Sequence, residues 1–172
     1  MRIVASSRKQ NIKEKKLKFY KKYAFIVFSS LKKPRFQKFL NWILTKENIQ
    51  KNKINDIQIK MFPVVKENGN QLIGKCNSKG EIFLYPKRFD NCRKKVNTLG
   101  NNGLKQYIVN RAKAAIIHEI LHLKYEDNET KVRELTKKYF SIFHCRNDSK
   151  PLDFKTHQKS LLNHYARIST TF

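Results

Sequence analysis

Acidic residues are scarce: 13 Asp and Glu stand against 38 Lys and Arg in 172 residues, a formal net charge of +25. Such a balance concentrates polyanions around the molecule and makes their association salt-dependent. It points to two readings, a solvated basic surface or a surface for nucleic acid or an anionic membrane face, and it says nothing about fold. Cysteines number three, Cys76, Cys92 and Cys145, with no CxxC pair. That excludes a disulfide framework and a cysteine zinc knuckle, and it fits a reducing compartment. Long apolar runs are missing too. The longest near the N-terminus is Ala24–Phe28, far short of a membrane span, and the first 16 residues lack the apolar centre of a signal peptide. The chain therefore reads as cytoplasmic, without a membrane span.

The length suits one hydrophobic core and one active site rather than two enzyme domains. No internal repeat interrupts it. Residues 1–22 alternate Lys with short apolar stretches and contain no Gly or Pro, which predicts a basic helix or a partly disordered arm. Pro34 is placed for a first helical turn, and Phe36, Phe39, Leu40, Ile43 and Leu44 recur at helical spacing, predicting an amphipathic helix over Pro34–Lys46. The period then changes from 3.6 to 2. Ile57, Ile59 and Met61 predict a strand within Asp56–Val65 that ends near Pro63. Gln71–Lys75 and Glu81–Tyr85 are two further short strands, joined through the Asn-, Ser- and Gly-containing loop Cys76–Gly80. Residues 90–103 read as the least structured connector, a long helix as running from Leu104 to about Tyr125, and a second as covering Glu129–His144. The expected fold is α+β, with a three-stranded or slightly larger sheet. Its segments are a basic N-terminal helical region (1–46), a core (47–145) and a C-terminal tail (146–172) able to dock near the site.

The chemistry is concentrated in His118-Glu119-Ile120-Leu121-His122, an H-E-x-x-H motif on the helical segment Arg111–Tyr125. On an α-helix, histidines at i and i+4 project from one face, close enough to share a zinc ion. Glu119 is rotated about 100° from His118, so its carboxylate can reach a metal-held water as a general base without itself ligating. The surrounding Ala114, Ala115, Ile116, Ile117, Ile120, Leu121 and Leu123 make the helix apolar nearly all round. Two imidazoles and a carboxylate buried there would be costly without a metal and water to satisfy them.

A catalytic zinc takes three protein ligands and leaves one position open. Candidates for the third are Glu126, Asp127, Glu129, Glu134, His144, His157 and His164. Asp127 and Asn128 look like the turn and N-cap of the next helix, which puts Glu129 in its first turn, where the chain folds back on the zinc helix. Glu129 is thus the first choice and Glu134, one to two turns further on, the second.

The runs Ala-Ala-Ile-Ile-His-Glu-Ile-Leu-His-Leu-Lys-Tyr and Asn-Glu-Thr-Lys-Val-Arg-Glu-Leu-Thr resemble the small gluzincin metallopeptidases called minigluzincins, mainly over residues 71–143. The resemblance implies a zincin-like core: an active-site helix, a following helix that bears the glutamate, and a small sheet whose edge strand binds an extended peptide. It would make Glu129 the third ligand, and Glu81, Ile82, Phe83, Leu84 and Tyr85 the substrate-binding edge strand. The related SprT-like zincins have a third histidine about six residues after the second. That position here is Asn128, a departure that favours the glutamate type.

Other signals carry less. Gly69–Cys76 almost matches a phosphate-binding loop, but Cys76 replaces the required hydroxyl and the segment reads as strand and hairpin rather than as the start of a helix. Tyr85, Tyr107 and Tyr125 are candidate donors to an oxyanion. Cys145 or a tail histidine could fill the open zinc position and hold the protein latent. The expected activity is hydrolysis of peptide bonds in an extended peptide or protein substrate, with Zn2+ as cofactor. The rival readings are a basic nucleic-acid-binding protein and a structural or latent zinc protein.

Overall fold

The computed structural model of the chain describes residues 2–6, 14–66 and 68–145. In chain order they form β1 (Arg2–Ser6), α1 (Glu14–Leu31), α2 (Pro34–Lys46), a single 3-10 turn (Lys51–Lys53), β2 (Asp56–Lys60), β3 (Gly74–Cys76), β4 (Ile82–Leu84), α3 (Phe89–Tyr125) and α4 (Glu129–Cys145). The strands make one mixed sheet in the order β1-β2-β4-β3, with β1 and β4 parallel to β2 and β3 antiparallel to β4. The fold is therefore mixed helix and sheet, with four helices among the described residues, and none of these is long and apolar enough to cross a membrane.

Where side-chain periodicity is strong, expected and observed elements coincide. The α2 helix runs over the predicted Pro34–Lys46, with Pro34 at its start and Phe36, Phe39, Leu40, Ile43 and Leu44 all buried. Ile57 and Ile59 alternate inward along β2, but the strand stops at Lys60, before the predicted end. Just beyond it the Phe62 ring meets Tyr20 edge-on. The β3–β4 hairpin turns through Asn77–Gly80. The Asn77 side chain accepts hydrogen bonds there from the backbone N–H groups of Lys79 and Glu81, and Gly80 has φ +73, with no space for a Cβ beside the Lys53 carbonyl.

Three expectations are corrected. Residues 2–6, predicted to lie in a helix or an arm, form a strand that completes the sheet along β2. Residues 90–103, predicted to be a connector, are helical, because α3 starts at Phe89 and breaks only at Gly100, at φ 66 and ψ 178. Tertiary contacts override the Asn-rich sequence: Cys92 is fully buried, the Phe89 ring packs edge-on against Phe19, and the Phe89 N–H donates to the Tyr20 hydroxyl. Finally, Glu81–Tyr85 does not supply the edge of the sheet. Its β4 portion is hydrogen-bonded on both sides, and the two edges of the sheet are β1 and β3. The tail, with His157 and His164, lies outside the described residues.

One hydrophobic core joins Tyr23, Val27 and Leu31 of α1, the buried face of α2, the inward residues of β2 and β4, and the aromatic face of α4 around α3. At one end of this core Glu47, only 6% exposed, terminates α2. Its carboxylate accepts hydrogen bonds from Tyr125 (2.6 Å), Tyr139 and Lys124 (3.2 Å). One carboxylate thus ties together the ends of α2 and α3 and the middle of α4. Burial alone would raise its pKa, but the three donors outweigh that and hold it below the usual carboxylate value. With the folded pKa depressed, its stabilisation is present above the unfolded carboxylate range and is lost as pH falls through the folded value. Glu47→Gln should cost about 1–3 kcal/mol at neutral pH in urea unfolding, and the gap to wild type should narrow on acidification below about pH 4.5. A gap that stays constant with pH would contradict this account.

Candidate metal centre

The last turns of α3 are helical for the reasons the sequence supplies, an Ala- and Ile-rich stretch without Gly or Pro, and they carry His118, Glu119 and His122. The two imidazoles lie on one face, 4.7 Å apart at their centroids and nearly perpendicular, with their Nε2 atoms 3.1 Å apart. After Tyr125 the chain reverses in three residues. The Asn128 side chain accepts a hydrogen bond from the Lys131 N–H, 3.0 Å away, and so caps α4. Glu129 falls in the first helical turn, with Oε2 at 3.3 Å from His122 Nε2 and 3.7 Å from His118 Nε2.

These three residues form a group whose ligand atoms all lie within 4.8 Å of one another. Ligands bonded at about 2.0–2.2 Å in a tetrahedral site would be about 3.3–3.6 Å apart; the observed 3.3 Å matches, and 3.1 and 3.7 Å depart by a few tenths of an ångström, so the group could hold a divalent metal after a small adjustment. Protonation agrees. His122 Nδ1 faces the Glu126 carbonyl, which can only accept, so the ring proton sits on Nδ1 and leaves Nε2 as a lone-pair donor. His118 Nδ1 lies 3.4 Å from the Thr136 hydroxyl. Glu129 divides its two oxygens: Oε1 takes the Arg133 Nε at 2.6 Å while Oε2 faces the histidines. Burial pushes the His118 pKa down, favouring the neutral ligand form. For Glu129 burial acts upward, but the Arg133 hydrogen bond and charge, with the two histidines nearby, hold it below the usual carboxylate value. The Glu129 side chain is 44% exposed against 24% for each histidine, so the group opens to solvent on the α4 side.

Glu119 stays out of this group. It is buried, points toward the sheet and accepts the backbone N–H of Cys76. A Cβ added at Gly74 would lie 2.6 Å from its Oε1. The glycine is therefore required by the close approach of β3 to the carboxylate. Burial raises the Glu119 pKa. The edge strand thus contributes a seat for the candidate base. Hydrogen bonds from Tyr85 N to Ile73 O and from Asn77 N to Glu81 O tie the ends of β3 to β4. By the alternation of an antiparallel ladder, the backbone groups of Gly74 and Cys76 face away from β4.

The remaining candidates separate. Among the described residues no metal-holding group includes Glu126, Asp127, Glu134 or His144. Glu126 contributes its backbone instead, at φ 46 and ψ −118, which presents its carbonyl to His122. Cys145 is sixteen residues beyond Glu129, about 24 Å along α4 at 1.5 Å per residue, so it cannot close the site. Of the tyrosines, Tyr125 is committed to Glu47 and Tyr107 receives the Lys87 ammonium. Tyr85 feels the Glu119 carboxylate, which adds to burial in raising its phenol. Of the segment Glu81–Tyr85, Ile82 and Leu84 are core residues, Glu81 is hydrogen-bonded to Gln58 and Asn77, and Phe83 lies under the Lys60 ammonium, so Tyr85 is the member that interacts with Glu119. Gly74, Thr136, Arg133 and the Glu126 carbonyl were not foreseen. Arg133 and Thr136, four and seven residues after Glu129, share its helix face and could have been read from spacing; Gly74 could not.

Comparisons with known protein families, with curated proteins and with solved structures find no match.

The geometry predicts one divalent ion per chain. Metal analysis after dialysis should show His118→Ala and His122→Ala losing it. Thr136→Val should weaken binding about 10-fold through the lost hydroxyl, and Gly74→Ala should bind as wild type. Equal metal content in wild type and His122→Ala would refute the site.

Proposed function

We propose that the protein is a zinc-dependent peptidase of the minigluzincin type, with a zincin-like core, acting on extended peptide segments. The observation that carries this reading is the division of labour at the end of α3. His118, His122 and Glu129 converge as three lone-pair donors, while the adjacent Glu119 is held apart from them on the edge strand. A zinc ion held by the three would supply a Lewis acid that polarises a peptide carbonyl and acidifies water.

The chain's own residues account for the rest. Glu119, with its pKa raised by burial, is suited to take a proton from the attacking water and pass it to the leaving nitrogen. A peptide lying antiparallel along β3 would use the outward backbone groups of Gly74 and Cys76, so Gly74–Cys76 replaces Glu81–Tyr85 as the substrate strand. Added there, it runs past Glu119 and the histidines. The Cys76 N–H that Glu119 accepts in the free protein becomes available as the carboxylate turns to water. Tyr85, whose phenol pKa is pushed up by burial and then by the Glu119 carboxylate, is our candidate donor to the oxyanion as charge develops. Arg111 holds the Tyr85 carbonyl at 2.8 Å and so fixes that end of β4.

Glu119→Gln should retain the metal and lose activity by about 10²–10⁴-fold in a mixed-peptide cleavage assay. Chelation should abolish cleavage and added zinc restore it. Gly74→Ala, which displaces the base but not the ligands, should lower kcat at full metal occupancy. Metal-loaded protein in which Glu119→Gln cleaves as fast as wild type would remove Glu119 from the mechanism.

A further inference from the structure

A second group of ionisable side chains gathers away from the metal ligands, on the same two helices. Lys113 lies five residues before His118 on α3, and His144 lies fifteen residues after Glu129 on α4. Lys33 and Arg35 flank Pro34 at the start of α2. Lys113 is only 8% exposed, yet it forms no hydrogen bond or ion pair with the described residues. Its ammonium sits over the rings of Phe143, at 4.4 Å, and Phe36, at 5.3 Å. The Arg35 guanidinium lies 5.1 Å from the same Phe143 ring and donates to the Phe143 carbonyl at 3.1 Å.

Mutual repulsion is evident. Burial, and then the charges of Lys33 and Arg35, pull Lys113 down to about 8. Burial, and then Lys113 and Arg35, depress His144, whose Nε2 is buried without a hydrogen-bond partner among the described residues. No carboxylate among the described residues pairs with Lys113 or His144. The thirteen-residue α2 also begins here with no side-chain cap and no acid in its first turn, so its positive end adds to the same field. Beside the cluster opens a cleft of about 400 Å³, lined by Pro34, Arg35, Lys38, Phe39 and Phe143.

We propose that Lys113, Arg35 and His144, with the N-terminus of α2, form a binding site for a phosphate group, taken up as the free ion or as a phosphate ester. The chemistry is complementary throughout. Arg35 contributes its guanidinium charge, Lys113 a point charge, and His144 Nε2 a donor once an anion favours its protonated form. A phosphate near neutral pH carries about −1.5 to −2 charges, which a cluster of this size with a helix N-terminus matches better than a single carboxylate does. An anion would offset the burial of Lys113, which the two rings offset only in part. The site is separate from the metal ligands and does not depend on the peptidase reading.

The test is calorimetric titration of the full-length protein with inorganic phosphate at fixed ionic strength. It compares wild type with Lys113→Met, and with Lys51→Gln/Lys53→Gln as an exposed control of greater charge loss. Saturable binding is expected in wild type and control, with affinity at least 10-fold weaker in Lys113→Met. The melting temperature of Lys113→Met without phosphate should be no lower than that of wild type, because methionine keeps the stem between the rings. Equal binding by Lys113→Met, or an equal loss in the control, would reduce the effect to diffuse charge and overturn the site. Acetate binding as tightly as phosphate would overturn the phosphate assignment. If Lys113→Met does not fold, His144→Gln is measured instead, with at least 5-fold weakening expected and unchanged affinity overturning the proposal.

Discussion

The histidine helix and the glutamate helix are joined by Glu126, Asp127 and Asn128 alone, and this reversal sets the distances from Glu129 to the two histidines at the candidate metal centre. Each residue has one task. Glu126 adopts a backbone conformation that costs L residues on the order of 1–3 kcal/mol, and in return its carbonyl fixes the His122 tautomer. Asn128 caps α4 and so starts that helix where Glu129 faces both Nε2 atoms. A linker one residue longer would rotate Glu129 by about 100° and take its carboxylate off the histidines. The Glu47 carboxylate reinforces the reversal from outside, because its donors Tyr125 and Tyr139 belong to the two helices being joined.

The sheet meets this helical frame at one point, where Gly74 of the edge strand receives Glu119. The contact has two consequences. It keeps the carboxylate from becoming a fourth protein donor, which leaves the group open on its solvent side. It also brings the outward backbone of β3 close to Glu119, next in sequence to His118.

What was legible in the sequence was local. Phe36 to Leu44 place α2 to the residue, because helical burial leaves a 3.6 period in the chain. The position of Glu129 in the first turn of α4 was legible through Asp127 and Asn128, because turn and cap chemistry is carried by neighbours. What was not legible involves residues far apart. Gly74 and Glu119 are 45 residues apart in the chain, and neither names the other. The edge position of β3 depends on strand order, which two short runs of similar composition do not encode. Residues 90–103 carry poor helix formers, and they are helical because Phe89 and Cys92 are held by α1 and the core. The strand at residues 2–6 pairs with β2 across both intervening helices, a contact with no local signature.

The charges buried on α3 remain to be reconciled with its apolar character. Leucine at positions 113 and 119 would suit a central core helix and avoid the desolvation that a carboxylate and an ammonium incur. Both groups are displaced toward their neutral forms, Glu119 upward and Lys113 downward, and burial is the largest cause in each case. A structural role would require each to be satisfied by a partner of opposite charge, as Glu47 is by Lys124. Glu119 instead has a backbone N–H, and Lys113 has two aromatic rings and other cations. Residues that cost stability and gain no charged partner within the described fold are understood as waiting for one from outside. On the readings proposed above, that partner is the proton of an attacking water for Glu119 and a phosphate group at the start of α2 for Lys113. The residues between the two on this helix are mostly apolar and buried, and they hold the two groups at fixed positions.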